Sequence, residues 1–237
     1  DAVGIKIGKH GNGTTSLQNF TINGNDLAIS NPNTTGYAIY LADVGGASLY
    51  SNNSVAITGT AGSSTVFDGV DISGSATGKW TISNNWLDGG AVGIDSSGIR
   101  LRSSLPGTAQ LNITGTEVTG WAQGIKSDNL AAGTVVEVRK SWIFDNTLYG
   151  IENGTGTAID AILNYWGHTS GPTHDTTNSD GQGDAVSNNV SYNPWHQDAE
   201  FVSLSSGTVY NETQAKYYQS IQTAIDEAAV GDTILVA

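Results

Sequence analysis

The residues best suited to chemistry gather late in the chain. Asp180-Gly-Gln-Gly-Asp184 sets two carboxylates and several backbone carbonyls in a glycine-kinked loop, a donor set that suits a hard, oxygen-seeking cation. A structural Ca2+ held by Asp180 and Asp184 is the candidate this raises. The spacing is not the twelve-residue EF-hand pattern, so the competing reading is an ordinary hydrogen-bonded loop. Three of the four histidines, His168, His174 and His196, share the region with Asp175, but their spacing matches no standard zinc motif. No motif in the chain requires a cofactor.

Earlier in the chain, Asp68 and Asp71 are the nearest approach to a carboxylate pair of the kind that works as acid and base. Their spacing suits a turn between structural units better than a catalytic dyad. Arg100 and Arg102 fall on one face of a strand and are expected to pair with surface acids. Trp80, Trp86, Trp121 and Trp142 recur at related places and read as core or as an outer aromatic ladder. Trp166, Tyr192 and Trp195 are expected to cover an open end.

The elements that must position these groups are short strands. Lys79 to Ile94, Ala109 to Ile125 and Val135 to Ile151 share an alternating strand, a polar Asn/Gly/Ser corner, a second short strand and a Gly-Ile pair. Ile82, Ile113 and Val138 mark equivalent positions, as do Gly93, Gly124 and Gly150. Weaker copies run from Leu17 to Ile29 and from Ser48 to Ile57, and a truncated one begins at Ala158. The apolar period within each unit is two, so helical repeats are excluded. A unit of 25 to 31 residues cannot bury its own apolar face, whereas stacked copies can. Residues 1–165 are therefore expected to wind about seven coils of a parallel β-helix.

The tail reads differently. Ile221, Ala224, Ile225 and Ala228 form an apolar stripe on a short helix with Ser220 as cap and Gly231 as its end. Thr233 to Ala237, with Ile234, Leu235 and Val236, reads as a buried strand without a continuation.

Composition narrows the partners. Asp and Glu outnumber Lys and Arg by 22 to 9, and the net charge of -13 repels nucleic acid and anionic lipid. There is no Cys, so neither disulfides nor thiol chemistry operate. No apolar run is long enough to span a bilayer, and no signal peptide opens the sequence, so Asp1 is expected to begin a processed or excised piece. Asn-x-Ser/Thr sequons begin at Asn12, Asn19, Asn33, Asn52, Asn112, Asn153, Asn189 and Asn211, the candidates for glycosylation in a glycoprotein.

The Gly-Ile coils resemble the right-handed parallel β-helix repeats of pectate-lyase-like prokaryotic cell-surface proteins. Asn164 to Pro172, Gly183 to Ser187 and Tyr192 to Trp195 look like the closing motif of such domains, and Ser220 to Ala237 is similar to the cap helix and first strand with which they open. The resemblance implies an all-β solenoid with a short amphipathic cap helix near the C-terminus. Its parts would be coils over 1–165, a closing loop region over 166–198, a linker or edge segment over 199–216, and a cap helix and first strand of a following unit over 217–237. It also implies an extracellular, non-enzymatic structural protein, either a subunit of a self-assembling head-to-tail filament or one repeat of a giant adhesin. Ile221, Ala224, Ile225, Ala228, Ile234, Leu235 and Val236 would then form the assembly interface. Partners would be copies of the same chain or adjacent repeats, with surface glycans in addition. The alternative is a polysaccharide-binding or polysaccharide-degrading module. The arginines stand outside any polygalacturonase-like signature, and no Asn-Thr-Asp or Gly-His-Gly triplet occurs.

Overall fold

The computed structural model describes residues 2–8, 17–30, 35–42, 44–58, 66–73, 78–90, 93, 95–102, 108–205, 209–214, 216–218 and 221–236. The chain winds as a parallel β-solenoid. Each turn passes once through three sheets, because each strand is too short to bury its inward side chains without a copy above and below. The first sheet stacks Ala2–Gly8, Gly36–Ala42, Phe67–Ser73, Ser97–Leu101, Gln123–Ser127 and Tyr149–Asn153. Thr21–Asn23, Ala47–Ser51, Lys79–Ser83, Gln110–Thr114, Val135–Arg139, Ile159–Asp160 and Val190–Ser191 make the second. The third holds Asp26–Ser30, Ser54–Thr58, Trp86–Asp88, Glu117–Thr119 and Trp142–Phe144.

Ile5, Ile39, Val70, Ile99, Ile125 and Ile151 stand in register, giving turns of 34, 31, 29, 26 and 26 residues. Five turns thus occupy the length expected to hold about seven coils. Only the first turn, at 34 residues, is longer than the 25 to 31 residues read from the middle of the chain.

Alternation builds the core. Ile22, Tyr50, Ile82, Ile113 and Val138 form one inward column, and Leu27, Val55, Leu87, Val118 and Ile143 form another. All except Leu27 are buried, each contributing roughly 1.5–3 kcal/mol from removal of its apolar surface from water. The expected equivalence of Ile82, Ile113 and Val138 holds in this register.

The polar corners between the second and third sheets follow one rule. Gly24, Asn52, Asn84, Gly115, Lys140 and Leu163 take left-handed φ values between 46° and 70°, and the next residue in each turn is Asn, Thr or Ser. The side-chain oxygens of those next residues accept the backbone N–H one coil away. Asn53 Oδ1 takes Asn25 N at 3.0 Å, Asn85 Oδ1 takes Asn53 N at 2.9 Å, and Asn164 Oδ1 takes Ser141 N at 3.0 Å. Thr116 Oγ1 and Ser141 Oγ fill the places between at 3.5 and 3.3 Å. Buried corner amides thereby find acceptors that neither sheet supplies.

The Gly-Ile pairs have a steric cause. A Cβ on Gly69 would lie 2.6 Å from Gly98 O, one on Gly98 2.8 Å from Gly124 O, and one on Gly124 2.7 Å from Gly150 O. The column therefore contains Gly98, and Gly93, read from the sequence as the partner of Gly124, lies outside it. The sequence offers two Gly-Ile pairs five residues apart, and strand pairing selects the second.

Beyond Asn153 the winding continues in abbreviated form. Val186 bridges Ile151, Val190 pairs with Ile159, and Tyr165 links Trp142 to His196. The tail folds apart from the coils as a three-stranded antiparallel sheet. Val209–Asn211 lies between Lys216–Tyr218 and Ile234–Val236, with helix Ile221–Asp226 against it. Its last strand, expected to lack a continuation, pairs with Val209–Asn211 and is only half-buried at Ile234 and Leu235, with Val236 exposed. Leu235 packs on Ile162, Leu163, Leu204 and Tyr210, which ties the tail to the last coils.

Candidate functional sites on the flank, the closing region and the tail

The first sheet carries two outward rows across the coils: Tyr37, Asp68, Ser97, Gln123 and Tyr149, and Lys6, Tyr40, Asp71, Arg100, Lys126 and Glu152. Asp68 and Asp71 lie within strand Phe67–Ser73 and are fully buried, not in the turn their spacing suggested. Arg102 spans both, donating from Nε to Asp71 Oδ2 at 2.6 Å and from Nη2 to Asp68 Oδ2 at 2.7 Å. Its guanidinium lies over the Tyr37 ring, 5.6 Å from the centroid. Arg100 donates from Nε to Asp128 Oδ2 at 2.8 Å, and Lys126 reaches Asp95 at 2.6 Å and Glu152 at 3.3 Å. Burial pushes the Asp68 carboxyl up to about 6, outweighing the opposing pull of Arg100 and Arg102. Burial likewise raises Asp71 against its Arg102 hydrogen bond. The arginines thus find acids from other coils, as expected in kind, but two of those acids are buried. Each carboxylate thus gives one oxygen to Arg102, and Asp68 Oδ1 accepts the Ser97 amide at 2.9 Å.

In the closing region, Asp184 is turned toward the neighbouring coil. It accepts Asn146 Nδ2 at 2.7 Å and the Asn146 amide at 3.2 Å, while burial lifts its carboxyl to about 6. Asp180 is exposed. The carbonyls of Gly181 and Gly183, the other oxygens of the suggested Ca2+ loop, accept the Thr173 hydroxyl at 2.6 and 3.1 Å. Among the described residues, no three His, Cys, Asp or Glu side chains converge on a metal-sized position. The histidines are dispersed in role. His168 Nδ1 meets Ser170 Oγ at 2.8 Å, and His174 Nδ1 accepts the Thr176 and Thr177 amides at 3.3 Å each. His196 is buried beside Phe201, and desolvation holds its pKa below the usual value. The Ser203 backbone opposes that shift, and among the described residues neither ring nitrogen has a well-formed hydrogen bond.

The tryptophans split into distinct positions. Trp80 and Trp121 are core, Trp121 donating to Leu87 O at 3.0 Å, whereas Trp86 and Trp142 occupy equivalent outward places on either side of Glu117. Trp166 and Tyr192 are buried at the closing end, with Trp195 partly so.

Of the sequon asparagines, Asn19, Asn52 and Asn189 are exposed with left-handed φ, and Asn112 is half-buried on the second sheet. Asn153 and Asn211 are buried and hydrogen-bonded, Asn211 to Asp232 and Asn153 to the carbonyls of Thr157 and Asn189. Asn12 and Asn33, with Ser220 and Ala237 of the tail, lie outside the described residues. On the tail helix only Ala224 is buried, and beyond its end Ala228 is half-buried. Ile221 is 48% exposed and Ile225 55%, and Val230 and Val236 elsewhere on the tail are exposed as well.

Comparison with family models, with curated proteins and with solved structures returned no match. The class defined by the fold is a parallel β-solenoid. No described helix is long and apolar enough to cross a membrane.

Proposed function

We propose that this solenoid is a non-enzymatic, extracellular structural unit of the kind found on prokaryotic cell surfaces, joined head-to-tail to copies of itself or to adjacent repeats. The observation that carries the reading is the contrast between its two ends. At one end, Ala2–Gly8, Thr21–Asn23 and Asp26–Ser30 are paired on one side only among the described residues, and Ile5, Ile7, Leu27 and Ile29 are only partly buried. At the other, the tail exposes Ile221, Ile225, Val230 and Val236. Two unlike apolar ends, neither of them covered among the described residues, fit a heterologous contact, which propagates as an open chain of units. Unpaired parallel edges accept further strands through main-chain hydrogen bonds. The best carboxylate pair is buried under an arginine, which supports a structural role over a catalytic one.

Sedimentation and electron microscopy of the purified chain test this. Concentration-dependent, open-ended oligomers are expected, reduced to monomers by Ile225→Asp or by deletion of residues 217–237. A monomer at every concentration, or polymers unchanged by either variant, would overturn the reading.

A further inference from the structure

Two neighbouring clefts open in the closing region, of about 380 and 480 Å3, within the size range of small-ligand sites. Tyr149, Asp175 and Asn188 line the first, and Trp195 and Asn193 line the second. A row of rings runs from His174 of the first to Tyr192 and Trp195 of the second. His174 and Tyr192 are 6.0 Å apart, Tyr192 and Trp195 6.2 Å, and Thr177 Oγ1 is hydrogen-bonded to the Tyr192 hydroxyl.

The row is packed and hydrogen-bonded by the chain itself. The Trp195 ring lies against Gly171, where a Cβ would come within 2.4 Å of ring atoms, and its Nε1 donates to Thr169 O at 3.1 Å. His174 Nδ1 accepts two backbone amides, so the proton resides on Nε2 and the ring serves as a donor. Asp175, Asn188 and Asn193 are exposed at the rim and supply acceptors and amide donors. Among the described residues neither cleft is lined by Lys or Arg, which makes both poor sites for phosphate, sulfate or uronate.

We propose that these clefts bind an uncharged oligosaccharide. The apolar face of a sugar ring would lie against Trp195 or Tyr149, and its hydroxyls would be met by Asp175, Asn188, Asn193 and His174. Fixed aromatic bodies flanked by planar hydrogen-bonding groups match a ligand that is apolar on its faces and hydroxylated at its edge. This site is independent of the head-to-tail contact, since none of its residues belongs to the tail.

Affinity electrophoresis in gels carrying a neutral β-glucan, a neutral mannan or polygalacturonate tests it. Retardation by at least one neutral polymer is expected, weakened about tenfold or more by Trp195→Ala and by the exposed-rim variant Asp175→Ala. Circular dichroism should be unchanged in Asp175→Ala, so that variant remains decisive if Trp195→Ala misfolds. No retardation by either neutral polymer, retardation by polygalacturonate alone, or retardation untouched by Asp175→Ala would each overturn the proposal. Repeating the gels with Ile225→Asp separates the two ideas, because that tail variant should bind like the parent chain.

Discussion

Asn85 Oδ1 accepts the backbone N–H of Asn53 at 2.9 Å across one turn of the solenoid, and Asn53 Oδ1 does the same for Asn25 at 3.0 Å. Asn53 also donates to Ile22 O at 3.1 Å and Ser51 O at 2.8 Å, so one residue serves three coils.

Asn53→Ala leaves the Asn25 amide without its acceptor and removes one donor each from the carbonyls of Ile22 and Ser51, the latter keeping the Gly24 amide at 3.2 Å. A loss of about 2–3 kcal/mol is expected in urea unfolding, with the m-value unchanged. A loss below about 0.5 kcal/mol would show the ladder to be incidental.

Arg102→Met leaves Asp68 and Asp71 buried together without their shared cation. The expected cost is about 3–5 kcal/mol near neutral pH. Adding Asp68→Asn and Asp71→Asn should restore much of it. If the triple variant is as unstable as the single one, charge is not the cause.

The raised acids set a pH dependence. Folded Asp184 and Asp68 keep their protons up to about pH 6, whereas the unfolded chain releases them near the ordinary value of 3.8. Between these values the native state holds more protons than the unfolded one, so stability falls as pH rises through the window. Asp184→Asn should remove part of that slope, measured by denaturant midpoints from pH 4 to pH 7. Parallel profiles for parent and variant would contradict the assignment.

Gly124→Ala would push a methyl group to 2.7 Å from Gly150 O and 3.0 Å from Asn146 Nδ2. About 1–3 kcal/mol should be lost. A methyl group on Gly156 would meet no atom within 4 Å, so Gly156→Ala should be neutral or gain up to about 1 kcal/mol. Similar melting shifts for the two would refute the steric column.

In a glycosylating host, peptide mass spectrometry should find sugar at the exposed corners Asn52 and Asn189 and none at buried Asn153 and Asn211. Occupancy of Asn211 would mean that the tail sheet forms after modification or not at all.

The column of Ile82, Ile113 and Val138 is legible in the sequence because alternation and corner residues repeat at the same offsets. The placement of Asp68, Asp71, Arg100 and Arg102 is not. They meet their partners across 28 to 34 residues, and only the register of the first sheet brings them together. That register is obscured by two Gly-Ile pairs in one coil, at Gly93 and Gly98, either of which satisfies the local pattern. Trp121 resembles Trp86 and Trp142 in sequence for a related reason, since all three sit at or just after a short strand. Trp121, however, comes two residues after Glu117–Thr119 and turns inward, where glycines at 69, 89 and 98 leave room for its ring. Asp184 finds its hydrogen-bond partner in Asn146, 38 residues away, and no local spacing announces it.

The corner ladder also governs how damage spreads. Each of its hydrogen bonds joins one turn only to the next, so a lesion weakens its immediate neighbours and leaves distant turns intact. Stability then accumulates as a sum of rung and interface contributions, and melting advances as a front from whichever terminal rung is left uncovered. A partner seated on that rung would slow the whole front while touching a single turn.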